Sequence, residues 1–500
     1  KLARPLPPLA YGGDYNPEQW PLSAQLEDID LMKAAGVSLV TLGVFSWAHL
    51  QPVPGVFEFD WLDEVIDRLH AAGISVDLAT ATASPPPWLT HQHPEILPIT
   101  ADGVTLWPGG RQAFCPSSPI YREHALALCR AMGERYGDHP AVVLWHVSNE
   151  IGCHNALCYC DVSAAAFRAW LQSKYADLDA LNDAWGTAFW SQRYTEWAQI
   201  LPPRTAANFP NPTQQWDFRR FSSDTLLAHF IAERDVLHEV SPGVPVTTNF
   251  MVMRHIKEMD YGRWAAELDV VSNDHYLIAA DPEAHRELAF SADLTRGVAG
   301  GDPWLLMEHS TSAVNWQPRN VAKQPGELLR TSLAHVARGA DSVLFFQWRA
   351  SKAGAEKFHS GMLPHAGTDS RVWREVVGLG EVLQSIQAVT GARSANDVAI
   401  LFDWDAWWGC ELDSHPSIDI TYRDQAEAFH AAFTDLGVGV DVVPPQADLS
   451  NYRLVVVPTL YTLSPETAAR LSAAAEQATV LVTYFSGIVD ADDHIITGGY

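Results

Sequence analysis

A short device that occurs twice near the start of the chain constrains the fold most: a helix, a glycine that ends it, and a buried strand. Leu22–Ala35 carries apolar residues at helical spacing and is followed by Gly36 and "VSLVTL". Residues 61–72 repeat the pattern before Gly73 and "ISVDLA". Glycine commonly ends helices because it adopts positive φ at no steric cost. Two such units in succession predict parallel strands joined by helices.

Runs of the same kind continue along the chain, and eight of them fit the strands of one closed barrel. Most are near-continuous apolar segments, as expected of parallel strands that are buried on both faces. The candidate strands are residues 9–11, 38–45, 75–80, 142–147, 246–250, 270–275, 304–307 and 342–348. Eight strands alternating with helices form a (β/α)8 TIM barrel, whose active site lies at the carboxyl ends of the strands. We therefore predict an α/β fold with a barrel over residues 1–392.

A second alternating α/β pattern begins after the barrel. It consists of "DVAILFDWDAWWG", a helical stretch over residues 426–436, "GVGVDVVPP", "YRLVVVPTL", a helix over residues 465–477 and "ATVLVTYFSG". A chain of 500 residues is long enough for two domains. The pattern predicts a second parallel sheet over residues 393–500, in a domain that is incomplete at residue 500.

Charge and composition narrow the possible partners. The formal net charge is −27, which disfavours binding to nucleic acid or to an anionic membrane surface and is compatible with a neutral substrate. The 19 tryptophans suit stacking on sugar rings, although a large core would also use them. No segment approaches a transmembrane span, and the first residues lack the apolar core of a signal peptide. The six cysteines form a poor disulfide framework, so we expect a cytoplasmic protein.

Two carboxylates stand at the ends of predicted strands. The fourth strand runs into Asn149 and Glu150 in "VVLWHVSNEIG", where the alternative is a pair that caps the next helix. The seventh ends at Glu308 in "PWLLMEHSTSAVNWQP", where the alternative is a buried ion pair with Arg338 or Arg349. Strands four and seven lie on opposite sides of one barrel mouth. Two carboxyl groups about 5–5.5 Å apart are what glycoside hydrolysis with retention requires.

Further polar and aromatic residues lie in the predicted loops around this mouth, where capping or core packing is the alternative for each. Asn149 could bond a sugar 2-OH, a contact that strengthens in the transition state. The other polar candidates are Arg111 after strand three, Asn273, Asp274 and Tyr276 at the end of strand six, and Glu356 and His359 after strand eight. The candidate stacking platforms are Trp190, Trp316 and Trp348.

In these residues the sequence resembles glycoside hydrolase family 42, the β-galactosidases, over essentially the whole chain. The motifs that carry the resemblance are "YGGDYNPEQWP", "GVFSWAHLQPVPGVFEFDWLD", "ASPPPWL", "FCPSSP", "WHVSNEIGCH", "CYCDVSAAAFRAWL", "AWGTAFWSQRY" and "EKFHSGMLPHAG". The resemblance implies a barrel followed by a flavodoxin- or glutaminase-like domain that forms homotrimers, and a small β domain beyond residue 500. It implies a retaining exo-β-galactosidase that needs no catalytic cofactor.

The resemblance also assigns roles to the candidate residues. It implies Glu150 as general acid/base and Glu308 as nucleophile, which the positions alone do not distinguish. It further implies that a galactosyl unit is held by Arg111, Asn149, Tyr276, Trp316, Glu356 and His359. A tryptophan from a long loop or a neighbouring subunit often closes such a pocket, and Trp190 is the matching residue.

The chain departs from the family pattern at a structural zinc site. Cys115, Cys158 and Cys160 match three of the four cysteines that many members carry, but Ser163 stands at the fourth position. A serine hydroxyl is a poor zinc ligand beside thiolates. Cys153 is nearby and could replace it, as could Asp161 or His154.

Two other functions are compatible with parts of this evidence. A related barrel hydrolase of the β-mannanase or endoglucanase type would also place glutamates on strands four and seven, but it would have an open groove. A sugar-binding pseudoenzyme would lack at least one catalytic carboxylate, whereas both are present here.

Overall fold

The computed structural model describes residues 4–498, and their first part is a barrel of eight parallel strands. The strands are Ala10–Tyr15, Leu39–Leu42, Ser75–Ala79, Val142–His146, Val246–Thr247 with Asn249–Phe250, Ser272–Asp274, Leu305–Glu308 and Ser342–Phe345. Strands one to six each pair with the next strand in sequence, and the first also pairs with the eighth. A bridge between Trp304 and Ala340 joins the seventh strand to the eighth and closes the barrel.

The predicted TIM barrel is confirmed, with differences at the strand ends. The first strand extends to Tyr15, beyond the predicted residue 11. The fifth is split at Thr248, whose hydroxyl donates to the Val147 carbonyl at 2.8 Å. Its first piece pairs with the fourth strand and its second piece with the sixth, so the interruption leaves the barrel continuous.

Helices cover the outside of the barrel. Gly36 and Gly73 follow two of them with φ of 77° and 74°, the left-handed backbone that the sequence device requires. The barrel helices of four or more residues are Leu22–Ala35, Trp47–Leu50, Asp60–Ala71, Pro87–Gln92, Pro119–Tyr136, Asp161–Lys174, Leu178–Ala184, Pro212–Val240, Tyr261–Trp264, Ala284–Val298, Glu327–Val336 and Arg371–Ser385. The shorter 3-10 turns are Pro17–Gln19, Pro94–Ile96, Phe189–Ser191, Trp197–Gln199, Ala265–Glu267 and Gln387–Val389.

Polar side chains inside the barrel support the carboxyl ends of its strands. Asp77 and His146 are fully buried on neighbouring strands, and their side chains approach to 3.2 Å. The other ring nitrogen of His146 lies 3.0 Å from Oδ1 of Asn249. Buried polar groups are stable when they are paired in this way. The chain of contacts therefore leads from the barrel interior up to the residues around its mouth.

The second domain is a four-stranded parallel sheet with helices. Its strands in chain order are Val398–Leu401, Val440–Val443, Leu454–Val457 and Thr479–Val482, and its helices are Trp404–Cys410, Tyr422–Asp435 and Pro465–Ala474. The strands lie in the spatial order 2-1-3-4, as in flavodoxin-like folds. The α/β prediction for this part of the chain is confirmed.

The two domains pack closely through the barrel helix Ala284–Val298. A Cβ on Gly297 would lie only 1.7 Å from the carbonyl oxygen of Val442, so only glycine allows this approach. Next to it, the buried Arg296 donates to the Val440 carbonyl and to Asp441, both at 2.8 Å. Across residues 4–498, no helix is long and apolar enough to cross a membrane.

Candidate active site

Glu150 lies in a tight turn just beyond the fourth strand. Its side chain is buried, and its φ of 44° is in the left-handed region that non-glycine residues rarely adopt. Two amide side chains hold the turn. The backbone N–H of Glu150 donates to Oδ1 of Asn249 at 2.7 Å, and Nε2 of Gln112 donates to the Glu150 carbonyl at 2.7 Å. The next helix, Asp161–Lys174, is capped by Cys160, so the helix-capping alternative for Glu150 is wrong.

Glu308 is the last residue of the seventh strand and is also buried. Its Oε1 accepts from Nδ2 of Asn249 at 3.2 Å, and its Oε2 accepts from the Tyr276 hydroxyl. The ion-pair alternative is wrong, because Arg338 pairs with Asp293 and Arg349 with Asp28. Glu308 is therefore held by neutral donors at the barrel mouth.

The two glutamates belong to one compact carboxyl cluster. Glu150, Glu308 and Asp274 each place a carboxyl oxygen within 4.8 Å of the other two. Burial, with repulsion from Glu150 next, raises the pKa of Glu308 to about 8, although the Tyr276 hydrogen bond and Arg111 lower it. Burial and the neighbouring carboxylates also raise the pKa of Asp274 and of Asp14 well above the usual value. The closeness of these carboxyl groups therefore disfavours ionisation of all of them together.

Arg111 supplies the positive charge beside this cluster. Its guanidinium forms an ion pair with Glu150 and lies 2.5 Å from Nε2 of His154. It also stands 5.6 Å from the ring of Phe45. Burial opposes the charge on Arg111, but the carboxylates of Glu150 and Glu308 outweigh it and raise the pKa of the arginine. Arg111 thus stays charged next to the predicted acid/base.

Asn249 connects the parts of the site, and our sequence interpretation missed it. Its Nδ2 donates to Oδ2 of Asp274 at 2.5 Å and to Oε1 of Glu308 at 3.2 Å, and it lies 2.9 Å from the side-chain amide of Asn149. Asn249 ends the run "VPVTTN" on the fifth strand, so the strand-end rule that selected Glu150 and Glu308 could also have selected it. The same rule applies to Asp14 on the first strand.

One side of the barrel mouth is formed by residues from the loops after strands six, seven and eight. The rings of Trp316 and His359 meet the ring of Tyr276 edge-on, at 5.2 and 5.7 Å. Trp316 is 42% exposed, so its face is open to a ligand. Burial lowers the pKa of His359 to about 4 and raises the pKa of Glu356. Nε2 of His359 is buried without a hydrogen-bond partner among residues 4–498, as suits a group that awaits a ligand hydroxyl.

Three predicted residues lie elsewhere. Trp348 is fully buried and donates to Asp28 at 2.9 Å, so its prediction as a stacking platform is wrong. Asn273 is buried and accepts from the Val252 N–H, a contact that supports the backbone. Trp190 is 59% exposed in the turn Phe189–Ser191, where its ring contacts that of Phe189. The ring contact of Trp190 is therefore within its own turn and not with the residues around the two glutamates.

A separate thiol cluster contains three of the predicted metal ligands. The sulfur atoms of Cys115, Cys158 and Cys160 lie within 4.8 Å of one another. Oγ of Ser163 completes the group, 3.2 Å from the sulfur of Cys115. The three thiols suit three of the four ligand positions around a zinc ion. The hydroxyl is a weak ligand for the fourth position beside sulfur.

The alternative fourth ligands do not reach this cluster. Cys153 and His154 lie with Glu150 at the barrel mouth. Asp161 is almost fully exposed and pairs with Arg204. Ser163 is therefore the residue that stands at the fourth position.

Comparison with known families agrees with this geometry. The glycoside hydrolase family 42 β-galactosidase model matches residues 14–386, and the β-galactosidase trimerisation domain matches residues 396–500.

Individual relatives are similar over nearly the whole chain. A β-galactosidase of Arthrobacter sp. is 59% identical over 98% of this chain and 71% of its own length. A β-galactosidase of Bifidobacterium bifidum is 49% identical over 98% of this chain and 72% of its own length. The crystal structure of a β-galactosidase from Bacillus circulans sp. alkalophilus superposes with a TM-score of 0.95 at 40% identity, over 100% of this chain and 74% of that one.

Proposed function

The chain belongs to the glycoside hydrolase family 42 β-galactosidases, and we propose that it removes terminal non-reducing β-D-galactosyl residues with retention of configuration. The observation that carries the mechanism is the closeness of Glu150 and Glu308, whose carboxyl oxygens lie within 4.8 Å. Retaining enzymes hold this pair about 5–5.5 Å apart, whereas inverting enzymes leave about 6.5–9.5 Å for a water molecule. The spacing supports double displacement through a covalent galactosyl-enzyme.

Glu308 is the nucleophile in this proposal. Its two oxygens accept from Tyr276 and Asn249, donors that fix the carboxylate and favour its ionised form. Attack on the anomeric carbon forms an ester bond, and the leaving oxygen takes its proton from Glu150. Glu150 then removes a proton from the water that hydrolyses the ester.

The proton must lie on Glu150 when the substrate is cleaved. In the free site Glu150 pairs with Arg111, and burial raises the pKa of Glu308 to about 8. Carboxyl groups this close share protons, since ionisation of the first disfavours ionisation of the second. The mechanism places this proton on Glu150 when the substrate is bound, which leaves Glu308 ionised for attack.

A galactosyl unit bound at the barrel mouth would lie among these polar groups and the ring of Tyr276. Asn149 and Arg111 lie on the Glu150 side, and the unpaired Nε2 of His359 lies on the other with Glu356. Trp316 offers a partly open ring for the sugar's C–H face. Cleavage at chain ends, rather than within a polysaccharide, rests on the match to the β-galactosidase family.

The second domain supports self-association, because residues 396–500 match a trimerisation family. We infer a homotrimer in which Trp190, exposed on its loop, closes the pocket of a neighbouring subunit. The reaction as proposed uses no cofactor. A bound zinc ion would be held by Cys115, Cys158 and Cys160 near Ser163, and would tie the loop after strand three to the helix Asp161–Lys174. All six cysteines are free thiols, which supports a cytoplasmic location.

Leaving-group dependence tests the acid role. For Glu150→Ala we expect kcat/KM to fall about 10²–10⁴-fold with an alkyl β-galactoside, but much less with a dinitrophenyl β-galactoside, which needs no proton to leave. Azide should partly restore turnover by attacking the galactosyl-enzyme. Asp274→Asn changes the third carboxyl of the cluster and should slow both substrates equally. Equal losses for both substrates in Glu150→Ala would contradict the assignment.

A further inference from the structure

The turn after the fourth strand carries three potential metal ligands. Glu150, Cys153 and His154 each place one ligand atom within 4.8 Å of those of the other two. Glu150 is buried, but Cys153 is half-buried and His154 is exposed, so the group is open to solvent on one side. Ligand atoms at this spacing can all contact one ion placed between them.

The residue types select the kind of ion. Thiolate, imidazole and carboxylate are the groups that bind Zn²⁺, and three protein ligands with an open fourth position for water are a common arrangement. Hard ions such as Mg²⁺ prefer oxygen ligands and would gain little from Cys153. This group is distinct from the thiol cluster of Cys115, Cys158 and Cys160.

A cation already occupies part of this space. The Arg111 guanidinium pairs with Glu150, and one of its nitrogens lies 2.5 Å from Nε2 of His154. The surroundings therefore favour positive charge. Arg111 is 27% exposed at its side chain, so it can turn outward. An ion cannot bind to Glu150 and His154 while Arg111 keeps its present position.

We propose that Glu150, Cys153 and His154 form an inhibitory site for a divalent d10 cation, Zn²⁺ or Cd²⁺. The bound ion takes the carboxylate of Glu150, displaces Arg111 and stands where the substrate's leaving group must lie. Inhibition is therefore competitive with the galactoside. The thiol of Cys153 loses its proton to solvent when the ion binds.

Turnover of an aryl β-galactoside in the presence of increasing Zn²⁺ tests the site. Cys153→Ser should keep its basal turnover and raise the half-inhibitory Zn²⁺ concentration at least about tenfold. Even loss of a residue that only hydrogen-bonds a metal-binding side chain typically costs 10–100-fold in metal affinity. Cys410→Ser, a buried thiol in the second domain, is the matched control and should be inhibited like the wild type. Wild-type sensitivity of Cys153→Ser would overturn the proposal.

Direct binding separates this site from the thiol cluster and from the catalytic assignment. In calorimetric titrations, the wild type should bind one Zn²⁺ ion per chain at a site that saturating galactose blocks. Cys153→Ser should lack this site. Cys158→Ser should leave the inhibition unchanged, and relief of inhibition by that variant would assign it to the thiol cluster instead. Arg111→Ala should bind Zn²⁺ more tightly because the competing cation is gone, a result that does not depend on turnover. Weaker binding to Arg111→Ala would contradict the exclusion of the ion by Arg111.

Discussion

At the scale of single residues, Asn249 links both glutamates. One nitrogen contacts Asn149, Asp274 and Glu308, and the amide oxygen receives the Glu150 N–H. Its position could have been predicted from the strand-end rule, but its contacts could not. They depend on the split of the fifth strand at Thr248, which the predicted strand over residues 246–250 does not reveal.

Asn249→Ala should lower kcat by about 10² or more, because a misplaced catalytic group typically costs that much. KM should change little, since the sugar contacts remain. Stability should fall by about 1–3 kcal/mol for each buried group that loses its partner. Asn273→Ala is the matched control: it is buried on the next strand and bonds the Val252 N–H, so it should lose stability but keep kcat. Equal losses of kcat in both variants would contradict a special role for Asn249.

Lys323 is a buried amine that the proposed mechanism does not use. Its Nζ lies 3.3 Å from Nε2 of His309 and 3.4 Å from Oγ1 of Thr331, and it also donates to the Ser310 carbonyl. Burial lowers the pKa of Lys323 from 10.5 to about 7. Between these values the unfolded chain binds a proton that the folded chain lacks, so this group makes stability rise with pH from about 7 to about 10.

Lys323→Met should remove that rise. The difference in unfolding free energy between wild type and variant is expected to grow by up to about 1.4 kcal/mol per pH unit in this window, with smaller changes below it. Thermal unfolding at several pH values between 7 and 10 measures the difference. Lys33→Met, at an exposed helix position, is the control, and its difference in unfolding free energy from the wild type should not change with pH in this window. A constant difference across the window would contradict a neutral Lys323.

At the scale of elements, the thiol cluster joins a loop to a helix. Cys115 lies in the loop after strand three, while Cys160 caps the helix Asp161–Lys174 that contains Ser163. The structure brings the three predicted candidates together, and two of them are separated by only one residue in the sequence. The choice among the fourth-ligand candidates needed the structure, since Cys153 faces the barrel mouth.

Ser163→Cys should convert the cluster into a closed four-thiolate site. The variant is expected to keep about one zinc per chain through dialysis against a chelator, whereas the wild type should lose it, because a hydroxyl binds zinc weakly beside thiolates. Metal analysis and thermal unfolding before and after dialysis provide the readouts. Equal zinc retention in wild type and variant would contradict a weak fourth position.

At the scale of the whole molecule, the repeated helix-glycine-strand device predicted the barrel because periodic apolar burial determines the strands. It could not predict how the domains meet. The contact of Gly297 with the Val442 carbonyl joins positions far apart in sequence, and nothing local marks Gly297 as an interface residue. Trp348 shows the same limit at the site: the sequence placed it after strand eight but could not show that its ring faces the core.

The central claim is that Glu308 carries the covalent galactosyl group, and trapping it is the most direct test. A 2-deoxy-2-fluoro-β-galactoside with a good leaving group should slow the second step and leave one fluorogalactosyl group on each intact chain. Mass analysis of digested protein should place it on the peptide that contains Glu308, and Glu308→Gln should acquire none. An adduct on Glu150, or turnover of aryl galactosides by Glu308→Gln at the wild-type rate, would contradict the account.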